Sequence, residues 1–191
     1  MNESKFEKSF QSNLASIAKK KGIYVLISSP QKYKLVNALA LKYYTSEEKK
    51  NGIYVSLNKG YDDVIRNLKE QGTDVSKLYF IDGITRTSDK DKKADNCTFI
   101  TSPQALTELS LAITTATNTK KFDFLFLDTI NTLLIYNDLK TTERFTHYLI
   151  AKIRAANVSA ILLSLEEESA NKLIPIITPF CDDCIDIRDL K

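Results

Sequence analysis

Short runs of apolar, β-branched and aromatic residues recur along the chain: 23–27 (IYVLI), 53–57 (IYVSL), 78–81 (LYFI), 122–127 (FDFLFL) and 160–163 (AILL). The first two follow directly on Lys21-Gly22 and Asn51-Gly52. Runs this short and this continuous predict strands of a parallel sheet covered on both faces. Two shorter runs, 98–100 (TFI) and 184–187 (CIDI), predict minor strands. Between them the apolar period changes to three and four. Leu35, Val36, Leu39, Ala40 and Tyr43 share one helical face, as do Val64, Ile65 and Leu68. Leu106, Leu109, Ile113 and Ala116 mark a third helix, with Ser102 as its expected N-cap and Pro103 at its first position. Phe145, Leu149 and Ile153 mark a fourth. Strands alternating with helices predict βαβ units with right-handed crossovers. The fold class is α/β: three layers, a mostly parallel sheet with helices on both faces.

Two segments lie outside this rhythm. Residues 1–21 place Phe6, Phe10, Leu14 and Ile17 on one stripe, an amphipathic N-terminal helix ahead of the domain at 22–191. That stripe is expected to pack on its own sheet, the alternative being a docking helix for another subunit. Lys19, Lys20 and Lys21 sit where cations favour a helix C-terminus. Residues 85–96 (TRTSDKDKKADN) hold almost nothing apolar and are expected to form a mobile charged loop.

Composition narrows the classes. Of 191 residues 43% are hydrophobic and 27% charged, which argues against global disorder. No apolar run approaches the roughly 20 residues of a membrane span, and 1–21 is too polar for a signal peptide. No membrane association is therefore expected. Three cysteines cannot build a disulfide framework, so the expected compartment is the cytoplasm. A formal charge of +3 does not by itself indicate nucleic acid.

Ligands of α/β proteins gather at the carboxyl ends of strands. The first strand is followed by Ser28, Ser29, Pro30, Gln31, Lys32, Tyr33, Lys34 and Leu35. Laid on the phosphate-loop pattern G-x-x-x-x-G-K-[ST], this octet keeps only Lys34. Ser28 and Tyr33 replace the glycines that let backbone N–H groups curl around phosphates. Leu35 replaces the hydroxyl that coordinates Mg²⁺ and brings no oxygen. Residues 122–129 (FDFLFLDT) form an apolar strand ending in Asp128, the pattern of a Walker B segment. The alternative is an ordinary buried strand whose terminal carboxylate caps the next turn.

Taken in order, these pieces resemble the RecA-like P-loop ATPases, and particularly archaeal KaiC-like domains, over about residues 22–187. The likeness rests on the strand and loop at 24–34, the strand at 54–57, residues 77–82 (KLYFID), the helix after Ser102-Pro103, residues 124–134 (FLFLDTINTLL) and the two closing strands. The resemblance implies a RecA-like fold. It also implies glutamates after the second strand to activate water, where this chain has Asn58-Lys59. Losing cradle, Mg²⁺ hydroxyl and base together, at even 10²-fold each, leaves no useful turnover. The expectation is a non-catalytic domain, a pseudo-ATPase acting as a regulatory or protein-interaction scaffold. Its vestigial nucleotide loop would be Ser28 to Lys34 with Asp128. No cofactor is expected, and the partner would be another protein or further copies of the chain. The alternatives are a divergent ATPase using Lys34 and Asp128 with ATP and Mg²⁺, and a nucleic-acid accessory protein.

Other constellations point to structure. Cys181-Asp182-Asp183-Cys184 lacks further paired ligands for zinc, and its two acids would raise a thiol pKa. His147 stands alone beside Tyr148, and Glu166-Glu167-Glu168 suit a solvated helix entry. The nine tyrosines and nine phenylalanines are spread through strands and helices and read as core.

Overall fold

The computed structural model describes residues 3–190. Seven parallel strands form one sheet in the order β4-β3-β2-β5-β6-β1-β7. They are β1 (Ile23–Ser28), β2 (Gly52–Ser56), β3 (Leu78–Asp82), β4 (Cys97–Phe99), β5 (Phe124–Asp128), β6 (Ser159–Leu165) and β7 (Asp183–Asp186). The helices are α1 (Glu3–Ala18), α2 (Tyr33–Lys42), α3 (Tyr61–Glu70), α4 (Leu106–Asn118), α5 (Ile130–Tyr136), α6 (Leu139–Ala155) and α7 (Glu168–Ile177). A π-helical turn, Tyr43–Glu47, prolongs α2.

Strand alternation sorts the core into two layers. Tyr24 and Leu26 of β1, Tyr54 of β2 and Phe124 and Phe126 of β5 face α1, α2 and α3. Ile23 and Val25, Ile53 and Val55, and Leu125 and Leu127 face α4 to α7. The same alternation along β5 puts Asp128 on the side of α2 with Phe124, Phe126 and Tyr54. Gly52 pairs with Phe124, and a Cβ at that glycine would lie 2.2 Å from the Phe124 ring. Only glycine lets that ring lie so close to the strand.

Phe6, Phe10, Leu14 and Ile17 of α1 are buried in the chain's own core, against α2 and the π-helical turn. Fully burying a side chain such as Phe10 or Leu14 is worth roughly 1.5–3 kcal/mol. The three lysines follow the helix rather than closing it, and Lys21 donates to the carbonyl of Asn157 at 3.1 Å. Between Thr85 and Asn96 the chain runs over the surface, opening with a 3₁₀ turn at Thr85–Thr87.

Ser102 does not cap α4. The helix starts at Leu106, and residues 102–105 form a turn closed by Ala105 N–H donating to the Ser102 carbonyl at 3.0 Å. Pro103, with its fixed φ, suits the second position of that turn as well as the first of a helix, which is why the sequence misleads here. Glu108, one turn inside α4, accepts from the Thr101 N–H at 2.8 Å and from the Thr101 hydroxyl. The helix α5 is too short to show an apolar period. Among the described residues no helix is long and apolar enough to cross a membrane.

Candidate functional site

The loop 28–34 leaves β1 at the carboxyl edge of the sheet, and β6 separates β1 from β5. Its backbone closes on itself. Lys32 N–H donates to the Ser29 carbonyl at 3.1 Å, and Tyr33 N–H to the Pro30 carbonyl at 3.4 Å. Ser28 is buried and its hydroxyl donates to the Ser29 carbonyl. Pro30 and Gln31 are exposed, and Ser29 is half-buried. Lys32 turns to the segment after β7, donating to the carbonyls of Arg188 at 2.9 Å and Leu190 at 2.7 Å, with its ammonium over the Phe6 ring. Leu35 packs on the core of the α1–α3 face, whereas Lys34 is exposed.

Tyr33 opens α2 and sends its ring across to β5. Its hydroxyl lies 2.7 and 2.9 Å from the two carboxylate oxygens of Asp128, sharing one proton between them. Asp128 has no exposed surface. It receives three more side-chain donors: the Tyr54 hydroxyl of β2, Asn37 Nδ2 of α2 at 2.9 Å and Asn58 Nδ2 at 3.4 Å. Asn37 Nδ2 also reaches the Tyr54 hydroxyl at 3.0 Å. A carboxylate offers about four lone-pair sites. All are taken by neighbouring side chains, so Asp128 does not cap the following turn; Thr129 begins α5 with no side-chain cap.

Burial pushes the Asp128 carboxyl above its ordinary 3.8, opposed by the donors from Tyr54, Tyr33 and Asn58 and by the charge of Lys59. Burial, with the Asp128 charge second, pushes both Tyr33 and Tyr54 far upward. Both phenols therefore keep their protons and act as donors. Lys59 completes the cover, its ammonium 5.1 Å from the centre of the Tyr33 ring.

The loop residues and Asp128 thus meet through Tyr33 alone. Asn37 and Tyr54 escaped the sequence reading. Each is a lone polar group in an apolar stretch, Asn37 between Val36 and Ala38 and Tyr54 between Ile53 and Val55. That irregularity is the signal that pointed to them.

The remaining candidates stand apart. Cys181 and Cys184 are free and half-buried, and Cys184 lies within β7. Burial is the leading cause that pushes the Cys181 thiol up to about 11; Cys184 and then Asp182 add to it, and Arg154 opposes it. No cluster of three metal-ligating side chains occurs among the described residues. His147 is exposed with its ring on Phe180, 4.2 Å between centres. Glu166 pairs with Arg188 at 2.8 Å.

Residues 22–187 match the sequence pattern of "Family of unknown function (DUF7504)". No curated protein matches. Among solved structures, the KaiC-like protein PH0186 from the hyperthermophilic archaeon Pyrococcus horikoshii OT3 aligns with a TM-score of 0.56 at 13% identity. The alignment covers 75% of this chain and 60% of that one, so the chain spans less than two thirds of its length. At that identity the likeness is one of fold, RecA-like α/β.

Proposed function

Since the chain belongs to the DUF7504 family, whose description carries no activity, we propose a function from the site itself: a non-catalytic RecA-like module, in which Tyr33 fills the seat where related folds hold phosphate. The observation that carries this reading is the Tyr33 hydroxyl lodged between both oxygens of Asp128. A metal-orienting carboxylate must offer lone pairs to the metal's water, and those of Asp128 are spent on Tyr33, Tyr54, Asn37 and Asn58. The N–H groups of Lys32 and Tyr33, which would have to turn toward a phosphate, are committed to the carbonyls of Ser29 and Pro30. Leu35 faces the core in place of a ligand oxygen. ATP with Mg²⁺ does not fit these residues.

On this reading the fold serves as a scaffold, binding a partner protein or further copies of itself in regulation. The decisive experiment is calorimetric titration with ATP and Mg²⁺, paired with a phosphate-release assay and light scattering of the purified chain. No heat of binding and no phosphate release are expected. Micromolar binding with turnover that Lys34→Ala abolishes would replace the reading with that of a divergent ATPase.

A further inference from the structure

Next to the filled seat, α2 and α3 part to leave a cavity of about 50 Å³ over β2. A single water needs roughly 10–15 Å³ by this measure, so there is room for about four non-hydrogen atoms, with more space at the mouth. Ala38, Val64 and Leu68 give it apolar walls. Lys34, exposed, and Lys59, half-buried, stand at its mouth, and neither forms an ion pair among the described residues.

The cavity's lining includes an acceptor that no protein group occupies. Asn37 is 94% buried and lines the cavity, being 6% exposed. Its Nδ2 is used by Tyr54 and Asp128, whereas its Oδ1 accepts no hydrogen bond from any described residue. Oδ1 keeps solvent-reachable surface, and an amide oxygen free of protein donors can accept a hydrogen bond from a ligand. The orientation of the amide is fixed by its partners, since an oxygen facing Asp128 would meet a carboxylate.

We propose that this cavity binds a small hydroxy acid, its carboxylate at Lys34 and Lys59 and its hydroxyl donating to Asn37 Oδ1. The two ammonium groups select an anion. A hydroxyl suits the donor position better than an amine, whose positive charge would sit beside both lysines. The apolar walls favour an organic anion over inorganic phosphate, which presents oxygen on every side. Glycolate is of the right size. The proposal rests on the reading above, because Tyr33, Asn37 and Tyr54 line the cavity as well as the filled seat. Nucleotide binding in the calorimetric titration would sink that reading, whereas the titration below tests the cavity itself.

The test is a titration of the ¹⁵N-labelled full chain with glycolate, acetate, glycine and inorganic phosphate, following the side-chain amide signals of Asn37, Asn67 and Gln71. Glycolate is expected to shift the Asn37 signals saturably. Acetate, lacking the donor, should bind about tenfold more weakly. The double variant Lys34→Gln/Lys59→Gln, at positions outside the core, should keep its circular dichroism and lose about tenfold in glycolate affinity. Equal binding of acetate would overturn the role of Asn37. Tighter binding of glycine or phosphate would overturn the assigned ligand class. No saturable shift with any of the four would overturn the site.

Discussion

Asp82 and Asp128 end strands on either side of β2, and both pair with Ser56 across the sheet. Both are wholly buried, at 1% and 0% exposure. Their partners differ in kind. Asp82 is held mainly by backbone: the N–H groups of Tyr61 at 2.6 Å, Ile84 at 2.6 Å and Thr85 at 2.8 Å, with the Thr85 hydroxyl and no other side chain among the described residues. It fixes the start of α3 and the turn after β3. Among the described residues, the Asp128 carboxylate is held only by side chains drawn from α2, β2 and the loop after β2. An acid gripped by backbone belongs to the architecture. One gripped by side chains belongs to a site whose character a few substitutions can alter.

The largest expected effect is therefore at Asp82. Asp82→Asn replaces an acceptor with a donor facing fixed N–H groups, and should cost about 3 kcal/mol in urea unfolding. Asp128→Asn should cost only about 1 kcal/mol, because phenols and amides can turn to meet an amide and a buried charge is removed. Equal losses at the two positions would break the distinction.

The acidity of the pair sharpens it further. The folded-state pKa of Asp128 is raised, so its native form holds the proton to higher pH than the unfolded chain does. The stability this confers is fully present below the unfolded pKa and lost as pH rises through the folded one. The stability of the wild-type chain relative to Asp128→Asn should thus decline from about pH 3 toward neutrality. The exposed carboxyls with lowered pKa, Glu108 and Asp138 among them, are common to both proteins and cancel.

The smallest effect lies where burial acts with few donors to oppose it. The Cys181 thiol, pushed up to about 11 from an ordinary 9.0, should alkylate with a rate that keeps climbing beyond pH 9. A plateau near pH 9 would show that burial at this depth shifts acidity little, and would weaken the account of Asp128 as well.

The sheet could be read from the sequence because its cause is local. Apolar runs such as 23–27 and 53–57 need no distant partner to declare themselves strands. The mismatch of Tyr33 with a phosphate loop could also be read, from the size of the ring alone. What the ring does instead could not, since its partner Asp128 lies 95 residues away. Asn37 and Tyr54 are 91 and 74 residues from Asp128, and only strand order and parity bring them together. The misplaced start of α4 has the opposite origin, because Pro103 fits two local geometries and the backbone beyond it decides between them.

Lys32 reaches the carbonyls of Arg188 and Leu190 across 156 and 158 residues of chain. The turn after the first strand and residues 188–190 are consequently one mechanical part, buckled by a single ammonium group. Displacing residues 188–190 would undo the fastening from a distant stretch of the chain and slacken the turn that carries Tyr33 without touching any residue near it in sequence.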